Sequence, residues 1–239
     1  FAGIRAALDS QGLWDDADGL FYDRLITPHG YAVPVKVRSM VGIIPALAAA
    51  VIDGNMLQQA MTLNKNFMRF LQREGVGDIE KLTQTPQLRG EGARRRMLLS
   101  VARPDQLERL FAKLFDEAEF LSPHGLRALS AYHRDHPYEF DVAGYHASID
   151  YEPAESTTSM FGGNSNWRGP VWMPVNYLVL ESLERYHRFY GSDLELEYPT
   201  GSGRTHTVAE VAGDLADRLV GIWLPDESGH RPVFGGQKL

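Results

Sequence analysis

The spacing of the large apolar residues constrains this chain more than anything else in it. Behind Pro104 stand Leu107, Leu110, Phe111, Leu114 and Phe115, three and four positions apart. That interval stacks side chains on one face of an α-helix. Proline fits a helix in its first turn, where its missing N–H has no intrahelical partner to lose, so Pro104 marks the start of this one. A second helix is expected from Val208 to Trp223, with Thr207 and Glu210 as a capping box and Val211, Leu215, Leu219 and Ile222 on its inner face. Pro170 opens the strongest helix, which ends near Gly191. Ser39 caps a further one from Met40 to Ile52, closed by Gly54, and Met56, Ala60, Leu63, Phe67 and Phe70 carry helical spacing into its successor. Residues 1 to 8 finish another helix.

Between these segments the pattern changes. Gly12 to Asp23 is a polar, aspartate-rich turn leading into a hairpin of Leu20 to Ile26 against Tyr31 to Val37, closed by Thr27-Pro28-His29-Gly30. Gly75 to Gly92 is a long polar loop, and Tyr138 to Tyr151 alternates weakly around Gly144, as an extended hairpin does. No internal repeat is present. Five or six helices joined by alternately short and long connections suit a bundle or a toroid of helical hairpins better than a parallel sheet.

At 239 residues and 44% hydrophobic, the chain reads as one domain spanning 1–239. A chain of that size buries roughly 70 to 75% of the surface exposed by its unfolded form. The net charge of -7, and a longest basic run of only Arg94-Arg95-Arg96, make nucleic acid a poor partner. The longest apolar run, Met40 to Ile52, is broken by Gly42 and Pro45, so no membrane span is expected. Without cysteine there is no disulfide framework and no thiolate zinc site, which fits a reducing, cytoplasmic setting. No cofactor or metal is expected. With no initiator Met before Phe1 and an end at Leu239 in a Gly-Gly-Gln-Lys stretch, the chain reads as a fragment cut at both ends.

Chemistry concentrates in the run Gly162 to Tyr177, where glycines, indoles, amides and one arginine crowd a loop-to-helix junction. A pyranose offers a flat face of C–H bonds and a rim of hydroxyls, so its site needs aromatic plates with rigidly held donors and acceptors. Trp167, Arg168, Asn164 and Asn176 form such a set. The alternative from the residues alone is packing: Trp167 and Trp172 as anchors, Arg168 paired with a buried carboxylate, Asn164 or Asn166 as a helix cap. Asp150, Glu152 and Glu155 are the loop carboxylates that could form an acid and base pair, or else could hold Arg127 or Arg168 in place. Asp16, Asp18 and Asp23 around Gly19 lack the remaining ligands of a calcium loop and fit a hairpin turn. His133 and His136 before Pro137 fit surface or capping roles better than a metal site, and Gly201-Ser202-Gly203-Arg204 fits an ordinary loop better than a phosphate cradle.

The stretch from Asp150 to Tyr190, with Asp150-Tyr151-Glu152-Pro153 and then Asn164 to Tyr177, resembles bacterial members of glycoside hydrolase family 63. So do Gly12-Leu13-Trp14-Asp15-Asp16, Lys36 to Gly42, Phe120 to Arg127 and Arg231 to Gly236, which carries the resemblance over nearly the whole chain. Relatives include the processing alpha-glucosidase of N-glycans and hydrolases of glucosylglycerate or mannosylglycerate. The resemblance implies an all-α fold, here a partial (α/α)6 toroid with a few short β-hairpins. It also implies inverting hydrolysis of alpha-linked glucose or a related sugar, by an aspartic acid and a glutamate roughly 6.5 to 9.5 Å apart. As the family is laid out, both catalytic residues fall outside this chain, in the missing half of the toroid, leaving Glu152 and Glu155 as reserve candidates. Trp167 and Arg168 match positions lining the sugar site, with Tyr151, Asn166, Trp172, Asn176 and Tyr177 as neighbours. The partner is then an oligosaccharide or glycoside. Two other functions fit the same residues: a non-catalytic carbohydrate-binding toroid, and a sugar epimerase on that scaffold, for which paired loop histidines are scarce.

Overall fold

Short-range signals start and stop the helices. The computed structural model describes residues 1–56, 86–142, 144–154 and 167–235. Helix α1 spans Ala2–Ser10, α2 Ile44–Leu47, α3 Pro104–Leu114, α4 Met173–Tyr190 and α5 Val208–Gly221. Pro104 is the first residue of α3, where the Gln106 side chain accepts from the Arg103 N–H at 2.9 Å. At α5 the Thr207 hydroxyl accepts from the Glu210 N–H at 3.3 Å, while the Glu210 carboxylate accepts from the Thr207 N–H at 2.8 Å. Both N–H groups at this helix start are thereby satisfied. Helix α4 stops at Gly191, whose φ of 62° suits a residue without a Cβ.

The expected all-α class is overturned: the described residues contain thirteen strands in six antiparallel sheets, giving a mixed α/β fold. Helical periodicity says nothing about connections, and a chain leaving a helix must still satisfy its backbone N–H and C=O groups. Here the connections pair with one another. β1 (Trp14–Asp15) pairs with β2 (Leu20–Phe21), β3 (Asp23–Ile26) with β4 (Ala32–Val35), and β8 (Leu121–Ser122) with β9 (Gly125–Leu126). β10 (Tyr138–Val142) pairs with β11 (Tyr145–Ile149), and β12 (Glu195–Glu197) with β13 (Thr205–Thr207). The expected hairpin of Leu20 to Ile26 is therefore split, its first two residues pairing with Trp14–Asp15.

The largest correction falls on Met40 to Ile52. Ser39 does cap, accepting from Val41 N–H at 3.3 Å, but the capped residues form a 3-10 turn, Met40–Ile43, and then the four-residue α2. Ala49–Asp53 is strand β5, paired from Ala49↔Ser100 to Asp53↔Arg96 with β7 (Arg96–Ser100). β6 (Pro86–Arg89), part of the segment expected to be a loop, pairs with the other edge of β7. The β-branched Val51 and Ile52 suit a strand, and pairing with a distant segment outweighs the helical spacing. The helix expected through Ala60, Leu63, Phe67 and Phe70 lies outside the described residues.

The core joins these pieces. Phe111 stacks on Phe115 at 5.8 Å and meets Tyr186 of α4 edge-on at 5.7 Å, and Tyr198 packs edge-on against Phe115 at 5.3 Å. The buried Tyr186 hydroxyl donates to Ala46 O at 2.7 Å and lies 3.1 Å from the Ser100 hydroxyl, so one side chain ties α2, β7 and α4 together. Residues 127–130 run as a zipper between two other segments: Met40 N–H donates to Ala128 O at 2.9 Å, Ala128 N–H to Pro170 O at 2.9 Å and Ser130 N–H to Arg38 O at 2.8 Å. Pro170 closes the turn that carries Trp167 and Arg168, so this zipper fixes where that turn sits.

Candidate functional site

The turn 167–170 is built against the end of β11. Arg168 is only 2% exposed, and a guanidinium at that depth needs carboxylate partners. Asp150 supplies one at 2.9 Å and Glu152 another, in direct contact with the second terminal nitrogen. The Glu152 N–H also donates to Arg168 O at 2.6 Å, so both backbone and side chain join the two loops. Tyr151, between the two carboxylates, turns the other way: its hydroxyl accepts from Arg127 Nε at 3.0 Å, and Arg134 lies over its ring at 5.0 Å. The ring presses on Gly169, whose φ is 128° and where a Cβ would stand 2.7 Å from Tyr151 Cδ2. Glycine there answers both demands at once.

Beside this bolt stand the two indoles. Trp167 and Trp172 lie with ring centroids 4.0 Å apart and planes at 34°, and Trp167 is 37% exposed. One indole backs the other, so the outer ring is a stiff, solvent-facing plate. Trp172 also forms the N-cap position of α4, which begins three residues after Pro170 because Val171 bridges Arg127 in the zipper.

The structure thus brings Tyr151, Glu152, Trp167, Arg168 and Trp172 together. Asn176 and Tyr177 come next on α4 but face opposite ways. Asn176 is fully buried; its amide donates to Leu126 O at 3.0 Å and Trp172 O at 2.9 Å and accepts from Leu126 N–H at 2.8 Å, holding β9 to α4. Tyr177 is well exposed and donates to Glu181 at 3.1 Å. Asn164, Asn166 and Glu155 lie outside the described residues.

A second polar cluster has no counterpart in the sequence pattern. Arg38 pairs with Glu119 at 2.6 Å and Asp18 at 2.7 Å while lying 3.7 Å over the Tyr132 ring; Lys113 also pairs with Glu119 at 2.6 Å. His133, expected in a surface or capping role, is 2% exposed and bonds backbone groups. Its Nε2 accepts from Arg38 N–H at 2.9 Å, which leaves Nδ1 as the donor to His136 O at 2.9 Å and makes the ring neutral. These partners stand 81 and 95 residues apart, and no short-range spacing could have signalled them. Asp18, grouped with Asp16 and Asp23 in the sequence, is thereby committed to Arg38. No group of three His, Asp or Glu side chains that could hold a metal occurs among the described residues.

Residues 96–222 match the mannosylglycerate hydrolase MGH1-like glycoside hydrolase domain. The chain belongs to the MGH1-like glycoside hydrolase family. The matched stretch contains Arg127, Asp150 to Glu152 and Trp167 to Tyr177. The chain is also similar to the uncharacterized protein YMR196W of Saccharomyces cerevisiae, 39% identical over 227 residues. That similarity covers 95% of this chain and 20% of the yeast protein, so the chain spans about a fifth of its relative's length. Among the described residues no helix is long and apolar enough to cross a membrane.

Proposed function

We propose that this chain supplies the sugar-binding wall of an inverting glycoside hydrolase acting on alpha-linked glucose or a related sugar. The observation that carries the reading is the exposed Trp167 plate, backed by Trp172 at 4.0 Å and fixed beside the buried Arg168. An indole face covers the C–H side of a pyranose, and the neighbouring charged groups meet its hydroxyls. Glu152 and Asp150 are both engaged by Arg168, so in this reading they hold the arginine and do not act on substrate. The general acid and base then come from outside these 239 residues. Tyr177 extends the wall, Asn176 keeps the turn in place, Asn166 remains a candidate neighbour and Glu155 a reserve catalytic candidate.

Hydrolysis of alpha-glucosides, glucosylglycerate and mannosylglycerate tests this, with the 239-residue chain and the full-length yeast relative assayed side by side and glucose binding to the chain titrated. Turnover by the relative and binding without turnover by the chain are expected. Trp167→Ala is expected to weaken that binding at least tenfold while leaving the thermal midpoint within a few degrees. Turnover by the chain alone would place catalysis on residues such as Glu152 or Glu155 and overturn the assignment; undiminished binding by Trp167→Ala would overturn the wall.

A further inference from the structure

A separate cleft of about 520 Å3 opens between the turn after α3, the β12–β13 hairpin and one face of α5. That volume falls within the roughly 300 to 1,000 Å3 of small-molecule sites. It shares no residue with the Trp167 site.

Its chemistry selects a ligand class by elimination. Glu210, Asp214 and Arg218 recur at four-residue steps along α5 and so line one face of it. Asp214 pairs with Arg218 at 2.6 Å and accepts from the Tyr198 hydroxyl, and Arg218 also donates to Ser122 O at 3.0 Å, so these charges are spent on each other and on the fold. Glu210 is occupied in capping Thr207. One acid and one base are left over: Glu117 and Arg204 have no ion-pair partner among the described residues. With three carboxylates on the wall a phosphate would be repelled, and with two guanidiniums a bare cation gains little. A hydroxyl group, which donates and accepts at once, satisfies a carboxylate and a guanidinium together. Thr200 and Ser202 add hydroxyls at the rim, and Pro199 and the His206 ring offer apolar surface.

We propose that this cleft is a second carbohydrate site, binding a neutral pyranose or polyol unit through Glu117 and Arg204. It holds a sugar away from the Trp167 plate, so a chain bearing both sites engages a glycan at two places and gains avidity from the link between them.

The experiment titrates glucose and inorganic phosphate into the Trp167→Ala chain, monitored by ligand-observed NMR, and repeats the titration with Glu117→Gln and Arg204→Ala added. Both added changes lie on exposed side chains, so the fold is expected to survive, which circular dichroism checks. The expected result is saturable glucose binding in Trp167→Ala that falls at least tenfold with the added pair, and no competition by phosphate. Loss of all glucose binding in Trp167→Ala, binding indifferent to the added pair, or displacement by phosphate would each overturn the proposal. The Trp167 reading fails by a different outcome, an unchanged affinity on going from the native chain to Trp167→Ala.

Discussion

Two residues show how far a side chain's identity falls short of its role. The sequence places Asn176 beside the sugar, and in the fold its amide makes three bonds to the backbone of Leu126 and Trp172. The sequence leaves His133 a surface or capping role, and in the fold both of its ring nitrogens bond backbone groups. Burial, reinforced by the Arg38 charge and opposed by the bond to His136 O, holds the His133 pKa below its ordinary value of 6.5. Glu119 and His136 are the other titratable groups that act on it, one favouring and one opposing its charge. A histidine kept neutral by the fold binds a proton more readily when unfolded, so unfolding is favoured as pH falls below 6.5 toward the folded value and is unaffected well above it. Urea midpoints are therefore expected to drop between pH 7.5 and pH 5.5 in the native chain, and to drop less in His133→Gln, whose amide does not titrate and reaches the Nε2 position where the Arg38 N–H donates.

At the level of helices and strands, features written within four residues of one another are legible and the rest are not. The Thr207–Glu210 box, the proline at the head of α3 and the apolar stripe behind it all hold in the structure. Thr207→Ala should cost about 1 kcal/mol, the usual worth of an N-cap, seen as a lower thermal midpoint with the helical signal otherwise kept. The run from Met40 to Ile52 carries equally good short-range signals and comes out as a 3-10 turn, one short helix and strand β5. A helical propensity is worth well under 1 kcal/mol per residue, and a full ladder with β7 exceeds it. Likewise the carboxylate clamp on Arg168 is legible as a possibility, because Asp150 and Glu152 lie within 18 residues of it, but which carboxylates serve required the folded loops.

Across the whole molecule, Glu119 is the joint. It meets Arg38, Lys113 and Ser130, and Arg38 continues to Asp18, so segments distant in sequence converge on one buried ionic cluster. Glu119→Ala would leave Arg38 half-compensated in a dry setting and is expected to cost about 3 kcal/mol, measured as a loss of unfolding free energy in urea. Residues close along the chain suffice to specify the starts of α3 and α5, their apolar faces, the family and the crowded Trp167–Arg168 turn, so these can be read from the sequence. The pairing of the connections into small antiparallel sheets, the inward turn of Asn176 and His133 and the open cleft beside α5 emerge only in the folded chain. These depend on contacts between residues far apart in sequence, where the energy of pairing and burial is set by partners that no local pattern names.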